Sequence, residues 1–193
     1  LGGGGAAELK HKLDSNIPTR LSSLVESIGL MCITKQDQVF VQERDTLERV
    51  GCEPNWQRFF PMGDAIRDWS IGEGNVAIFP YDDTIRLRPI ADAPGAARFM
   101  WPFRRVLEER ALFGGDTFRT GGREWYAYGQ IPESKFDPKL SVAFAKIATH
   151  NHFTIDGGGS LFSDGSPIIK LPKNASEDDH FALLGVLNSS TAC

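Results

Sequence analysis

Hydrophobic and polar positions change period several times along the chain. The segment AAELKHKLDSN predicts a short helix. In TRLSSLVESIG, Leu21, Leu24, Val25 and Ile28 fall at helical spacing and predict an amphipathic turn or two, ended by Gly29. From there the texture turns to short β-rich runs, LMCIT, QVFVQ, NVAIFPY, TIRLRPI, SVAFAKIAT, HFTID and PIIKLP, bounded by Gly, Pro, Asp and Asn. One longer helix is expected in MWPFRRVLEERALF, with Phe103, Val106, Leu107 and Arg110 at helical spacing. Pro102 would open it and Gly114-Gly115 would stop it. HFTIDGGGSLF reads as a hairpin, its glycines supplying positive φ. Ser176 with Asp179 makes a capping arrangement before the apolar helix HFALLGVLNSS. The order is α+β rather than regular βαβ. Residues 1–16 read as a flexible, helical lead-in from a preceding domain and residues 17–193 as one domain. Both ends look cut, and the last helix is expected to be truncated at Cys193.

Composition narrows the class. A hydrophobic share of 41% and a charged share of 24% are ordinary for a soluble globular chain. No run is apolar enough for a membrane helix and no signal pattern opens the sequence. Cys32, Cys52 and Cys193 are odd in number and form no CxxC pair, which predicts neither a disulfide framework nor a zinc ribbon. A reducing cytoplasm is the expected compartment. The net charge of −4 excludes a whole-surface nucleic-acid binder, but the charge is unevenly spread. Residues 84–150 hold 11 Lys/Arg against 7 Asp/Glu, while both flanks are acidic, so a local basic face is expected.

Several chemical motifs can be weighed and set aside. His150, Asn151 and His152 spell the name of a nuclease family, yet in that family the three residues are well separated in sequence. On a strand, His150 and His152 would share one face and Asn151 the other. Asp156, Asp164 and His180 do not offer a third ligand at convincing local spacing, so no metal is expected. LGGGGAAELK lacks the GK[ST] ending of a phosphate loop. Phe79-Pro80-Tyr81 lacks the polar residue that a base-holding methyltransferase loop needs, and no serine sits in a nucleophile elbow. No catalytic residue is assigned.

Side chains suited to DNA are concentrated in the middle of the chain. Arg104, Arg105 and Arg110 lie on the predicted basic helix and, with Lys146, are expected to hold phosphates. FRTGGREWYAYGQ interleaves Arg119, Arg123, Trp125, Tyr126, Tyr128 and Gln130 around a Gly-Gly turn. Arginine reads guanine bidentately, glutamine reads adenine, and aromatic rings pack on sugars. His150, Asn151 and His152 are expected to complete that surface or to brace a hairpin. The alternative for this stretch is a core strand with Trp125 inside.

These residues also carry a family resemblance. RDWSIGEGNVAIFPYD, WPFRRVLEERALFGGDTFRTGGREWYAYGQ, AFAKIATHNHFTIDGGGSLF and HFALLGVLNSSTAC follow one another in an order that resembles the C-terminal part of BREX-type PglX adenine-specific DNA methyltransferases, within the TaqI-like specificity-domain group. The resemblance implies an irregular, wound β-structure, double β-helix-like, followed by a helical hairpin. It implies double-stranded DNA as partner, together with the methyltransferase domain of the same chain and other phage-defence proteins. S-adenosylmethionine would be bound by that absent domain, and no cofactor is expected in this segment. Family members often carry arginine at the position of Gln130. The expected function is therefore non-catalytic, sequence-specific DNA recognition. Its rivals are a protein-interaction module of a defence complex and a metal-dependent nuclease.

Overall fold

The structure is a computed structural model that describes residues 5–17, 19–112, 114–137 and 139–190. Its helices are α1 (Ala6–Asn16), α2 (Leu21–Leu24), α3 (Asp37–Phe40), α4 (Arg44–Arg49), α5 (Pro94–Met100), α6 (Arg104–Glu108) and α7 (Glu177–Leu187). Its strands are β1 (Ser27–Gly29), β2 (Val41–Gln42), β3 (Gln57–Phe60), β4 (Ile66–Arg67), β5 (Ser70–Ile71), β6 (Asn75–Ile78), β7 (Ser141–Phe144), β8 (Phe153–Asp156) and β9 (Ile168–Lys170). The α+β class holds. An antiparallel four-stranded sheet runs β1-β9-β7-β8, a three-stranded sheet runs β2-β6-β3, and β4-β5 is a hairpin.

Three apolar clusters position everything else, one of them formed by Met31, Ile66, Ala143, Phe162 and Ile168. The three-stranded sheet contributes Phe60, Val76 and Ile78 to a core that also holds Phe40 of α3, Trp56, Leu107 and Tyr128. The four-stranded sheet packs Val142, Ile169 and Leu171 against Leu184 of α7, whose start carries the expected Ser176–Asp179 capping box. A parallel bridge pairs Phe59 of β3 with Ser160, in the segment between β8 and β9. No helix among the described residues is long and apolar enough to cross a membrane.

Several expected elements differ, each for a physical reason. TRLSSLVESIG is helical only over Leu21–Leu24. Val25 turns extended and the Glu26 N–H donates to the Lys170 carbonyl, so pairing with β9 overrides the helical spacing. The basic helix is short. Pro102 interrupts it with a 3-10 turn, Trp101–Phe103, and only Arg104–Glu108 is α-helical. Phe113 lies outside the described residues. The start of α5 is held by Glu53, whose carboxylate accepts the N–H groups of Gly95 (2.8 Å) and Ala96 (3.1 Å). HFTIDGGGSLF is no hairpin, because β8 pairs with β7 and the residues after the glycines cross to Phe59 of the other sheet. LMCIT and TIRLRPI contribute isolated bridges, at Ile33 and Leu87, rather than strands. The last helix was expected to run to the chain end. It closes at Leu187 with Asn188 as its C-cap, while residues 191–193 lie outside the described residues. So do residues 1–4 of the lead-in.

Candidate nucleic-acid interface

The organising group of the basic region is Arg110, and it faces inward. Its side chain is buried, where it donates to the carbonyl oxygens of Leu107 (2.9 Å), Thr34 (2.5 Å), Trp125 (2.6 Å) and Ala127 (2.8 Å). The guanidinium also lies over the Phe118 ring. Burial lowers its pKa to about 10, so it stays charged near neutral pH. Arg110 was expected to hold a phosphate. Instead it ties the end of α6 to two stretches of loop, and the planar fork of donors explains why arginine suits the position.

The aromatic residues expected at a groove are also interior. Trp125, Tyr126 and Tyr128 are buried, and the hydroxyls of both tyrosines are committed to the backbone. The Tyr128 hydroxyl donates to the Ile78 carbonyl at 2.7 Å, and the Tyr126 hydroxyl to the Arg88 carbonyl at 3.1 Å. The Tyr128 N–H donates to the Tyr81 hydroxyl, whose pKa burial pushes up to about 12. Tyr128 packs in the core against Phe40 of α3 and against Phe79 and Tyr81, which follow β6, while Trp125 packs edge-on against Trp101 and Tyr126. The core alternative weighed for Trp125 is the arrangement found, and it extends to both tyrosines.

What remains outside is a basic rim on this scaffold. Arg105 is exposed on α6 and lines an open groove of about 620 Å³ with Lys35, Gln36, Val106 and Glu109. Arg119 pairs with Glu109 at 2.8 Å, both side chains more than half exposed, a weak and exchangeable pairing. Arg104 is more committed. It donates to Glu108 at 2.7 Å and stacks on the exposed Trp101 ring at 4.9 Å. Arg123 is exposed yet donates to the carbonyls of Tyr128 (2.9 Å) and Gly129 (3.1 Å). Gln130 is exposed, and its backbone is pinned by paired bonds with Ile33 at 2.8 and 3.0 Å.

Lys35, Gln36 and Trp101 were not anticipated. Lys35 sits at φ 62, and its amine donates to the Ala111 carbonyl at 2.5 Å. No local pattern marks it, because its amine is met by Ala111, 76 positions away, and the adjacent Thr34 carbonyl by Arg110, also 76 positions away. Trp101 stands in the predicted helix, but its exposure depends on the Pro102 turn.

The second expected group gathers elsewhere, on the loop between β7 and β8. Lys146 is exposed and pairs with Asp164 at 2.8 Å. The Asn151 amide donates to the Leu187 carbonyl at 3.2 Å, bracing the end of α7. His150 and His152 are not on a strand, yet their rings lie 4.4 Å apart. His152 is buried and hydrogen-bonded through Nδ1 to Asp68 at 2.8 Å. The sequence offers no third ligand at local spacing, and the structure supplies a candidate from a distant hairpin. Asp68, His150 and His152 bring one donor atom each within 4.8 Å of one another.

No protein-family model matches the chain. It is 35% identical over 188 residues to the adenine-specific methyltransferase PglX of Streptomyces coelicolor. That match covers 97% of this chain but spans only 16% of the relative's length. The chain is related in sequence to one part of that methyltransferase.

Proposed function

We propose that this chain is a target-recognition region of an adenine-specific DNA methyltransferase, contacting double-stranded DNA while another region performs the chemistry. The observation that carries the reading is the match to one part of an adenine-specific methyltransferase along nearly the whole of this chain. Adenine specificity belongs to that relative by name. DNA as the target comes from the family resemblance and from the exposed basic rim. The TaqI-like specificity-domain assignment and the link to BREX-type phage defence are part of the same proposal.

The geometry supports a division of labour. Arg110 and the buried aromatic residues build a rigid platform, and Arg105, Arg119 and Gln130 stand outward from it. Exposed arginines at the rim of an open groove neutralise phosphates. A glutamine on a pinned backbone is placed to meet a base edge. S-adenosylmethionine is assigned to the catalytic region of the parent protein, and a bacterial cytoplasm is the compartment where such a protein would meet DNA. The test is duplex binding by the purified chain as salt is varied, together with titration of S-adenosylmethionine. The proposal expects salt-sensitive DNA binding and no cofactor binding.

A further inference from the structure

The hairpin β4-β5 turns through Asp68 and Trp69, and Trp69 takes φ 67, a left-handed conformation that a bulky side chain rarely adopts. The Trp69 N–H donates to the Phe153 carbonyl at 3.3 Å, holding the turn against the start of β8. From the other side, the Asn188 side chain bonds the backbone of Phe153 in both directions, at 3.0 and 2.9 Å. Three distant parts of the chain are thereby fixed around His152. Asp68 comes from the hairpin, His150 and His152 from the β7–β8 loop, and Asn188 from the end of α7. An open pocket of about 450 Å³ lies over the group, lined by Asp68, Trp69, His150 and Asn188.

We propose that Asp68, His150 and His152 form a binding site for a divalent transition-metal ion of the zinc class, with its remaining position open to the pocket. Two imidazoles and one carboxylate are the donors such ions take, whereas magnesium and calcium favour oxygen-only sets. Ligand bonds of about 2.0–2.2 Å place donors at most about 4 Å apart. The observed spread, within 4.8 Å, closes with a small movement of one side chain. His150 can make it, being exposed on a loop without regular structure. The hydrogen bond between His152 and Asp68 already orients two of the three donors. A purely structural His152–Asp68 pair would not require the His150 ring to lie 4.4 Å from that of His152. The ion would clamp the hairpin to the β7–β8 loop. This inference rests on the cluster's geometry and is independent of DNA recognition.

The test is titration of the tag-free chain, stripped with a chelator, with Zn(II) and Co(II). Calorimetry gives stoichiometry, and the Co(II) absorption spectrum reports coordination. Zn(II) should bind at one ion per chain, raise the melting temperature, and shift the ring resonances of two of the four histidines by NMR. Because His152 is buried, the variants are placed at the exposed residues, His150→Gln and Asp68→Asn, with circular dichroism checking the fold. Each should weaken binding by at least about tenfold, since even supporting groups around a metal typically contribute 10–100-fold. Absence of stoichiometric binding would overturn the proposal. So would binding that His150→Gln leaves unchanged, or Zn(II) shifts confined to other histidines.

Discussion

The guanidinium carbon of Arg110 lies 3.9 Å from the centroid of the Phe118 ring, while Nη2 of the same group donates to the carbonyls of Trp125 and Ala127. One cation thus stands in for the regular structure that the loop from Phe118 to Gln130 lacks. Removing it would leave buried carbonyl oxygens without donors. Arg110→Met should destabilise the fold by about 3–5 kcal/mol, the range seen when one partner of a buried charged network is deleted. Arg110→Lys should also be costly, because an ammonium cannot reach all four carbonyls. Chemical denaturation measures both. A loss under about 1 kcal/mol for Arg110→Met would contradict this role.

Arg104 and Arg105 are neighbours in sequence with different surroundings, so they should behave differently on DNA. Arg105→Ala should reduce the slope of log K against log salt by about 0.9, the value of one released phosphate contact. Arg104 is held by Glu108 and Trp101, and Arg104→Ala should change that slope much less. Equal changes for the two variants would show that the pairing with Glu108 is surrendered on binding.

Lys170 is a buried cation in the central sheet, its amine 3.2 Å from the Leu140 carbonyl and 3.4 Å from that of Lys139. Burial lowers its pKa from 10.5 to about 8. Between those values the unfolded chain binds more protons at this residue than the folded one, so this residue's contribution makes stability rise with pH. Stability curves of the parent and Lys170→Met, recorded from pH 7 to 10.5, isolate that contribution. Their difference should shift in the parent's favour as pH passes through about 8. A constant difference would contradict the lowered value.

Local signals were legible where a few neighbouring residues decide the outcome. The α1 helix, the Ser176 capping box and the strands at NVAI, SVAF, FTID and IIK follow from spacing and punctuation. What was not legible depends on distant partners. Val25 and Ile28 keep helical spacing, but β9 claims that segment for a sheet. An arginine-rich, aromatic run reads equally well as a DNA surface or as a core with cations tied to carbonyls. The arrival of Phe40, Phe79 and Tyr81 makes Tyr128 interior, and Trp125 and Tyr126 are buried in the same core. Asp68 stands 84 positions from His152, beyond the reach of any spacing rule.

Gln130 is an exposed side chain on a fixed backbone, whereas the Arg123 guanidinium is occupied by two carbonyls. In a full-length parent protein acting as the proposed methyltransferase, Gln130→Ala should relax the accepted base at one position, at about 1–3 kcal/mol of discrimination. Arg123→Ala should instead lower stability and overall activity with the motif intact. Sequencing the methylated adenines in cells carrying each variant separates the two. A motif changed by Arg123→Ala and unchanged by Gln130→Ala would reverse the assignment.

The central claim is that this chain binds double-stranded DNA through the rim bearing Arg105 and Arg119. Fluorescence anisotropy of a labelled duplex, titrated with the purified chain over a range of salt concentrations, tests it most directly. The account predicts binding whose log K falls linearly with log salt, and a double variant Arg105→Ala, Arg119→Ala that flattens the slope by roughly 1.8 while staying folded. Absence of binding at low salt, or binding whose salt slope the folded double variant leaves unchanged, would contradict it.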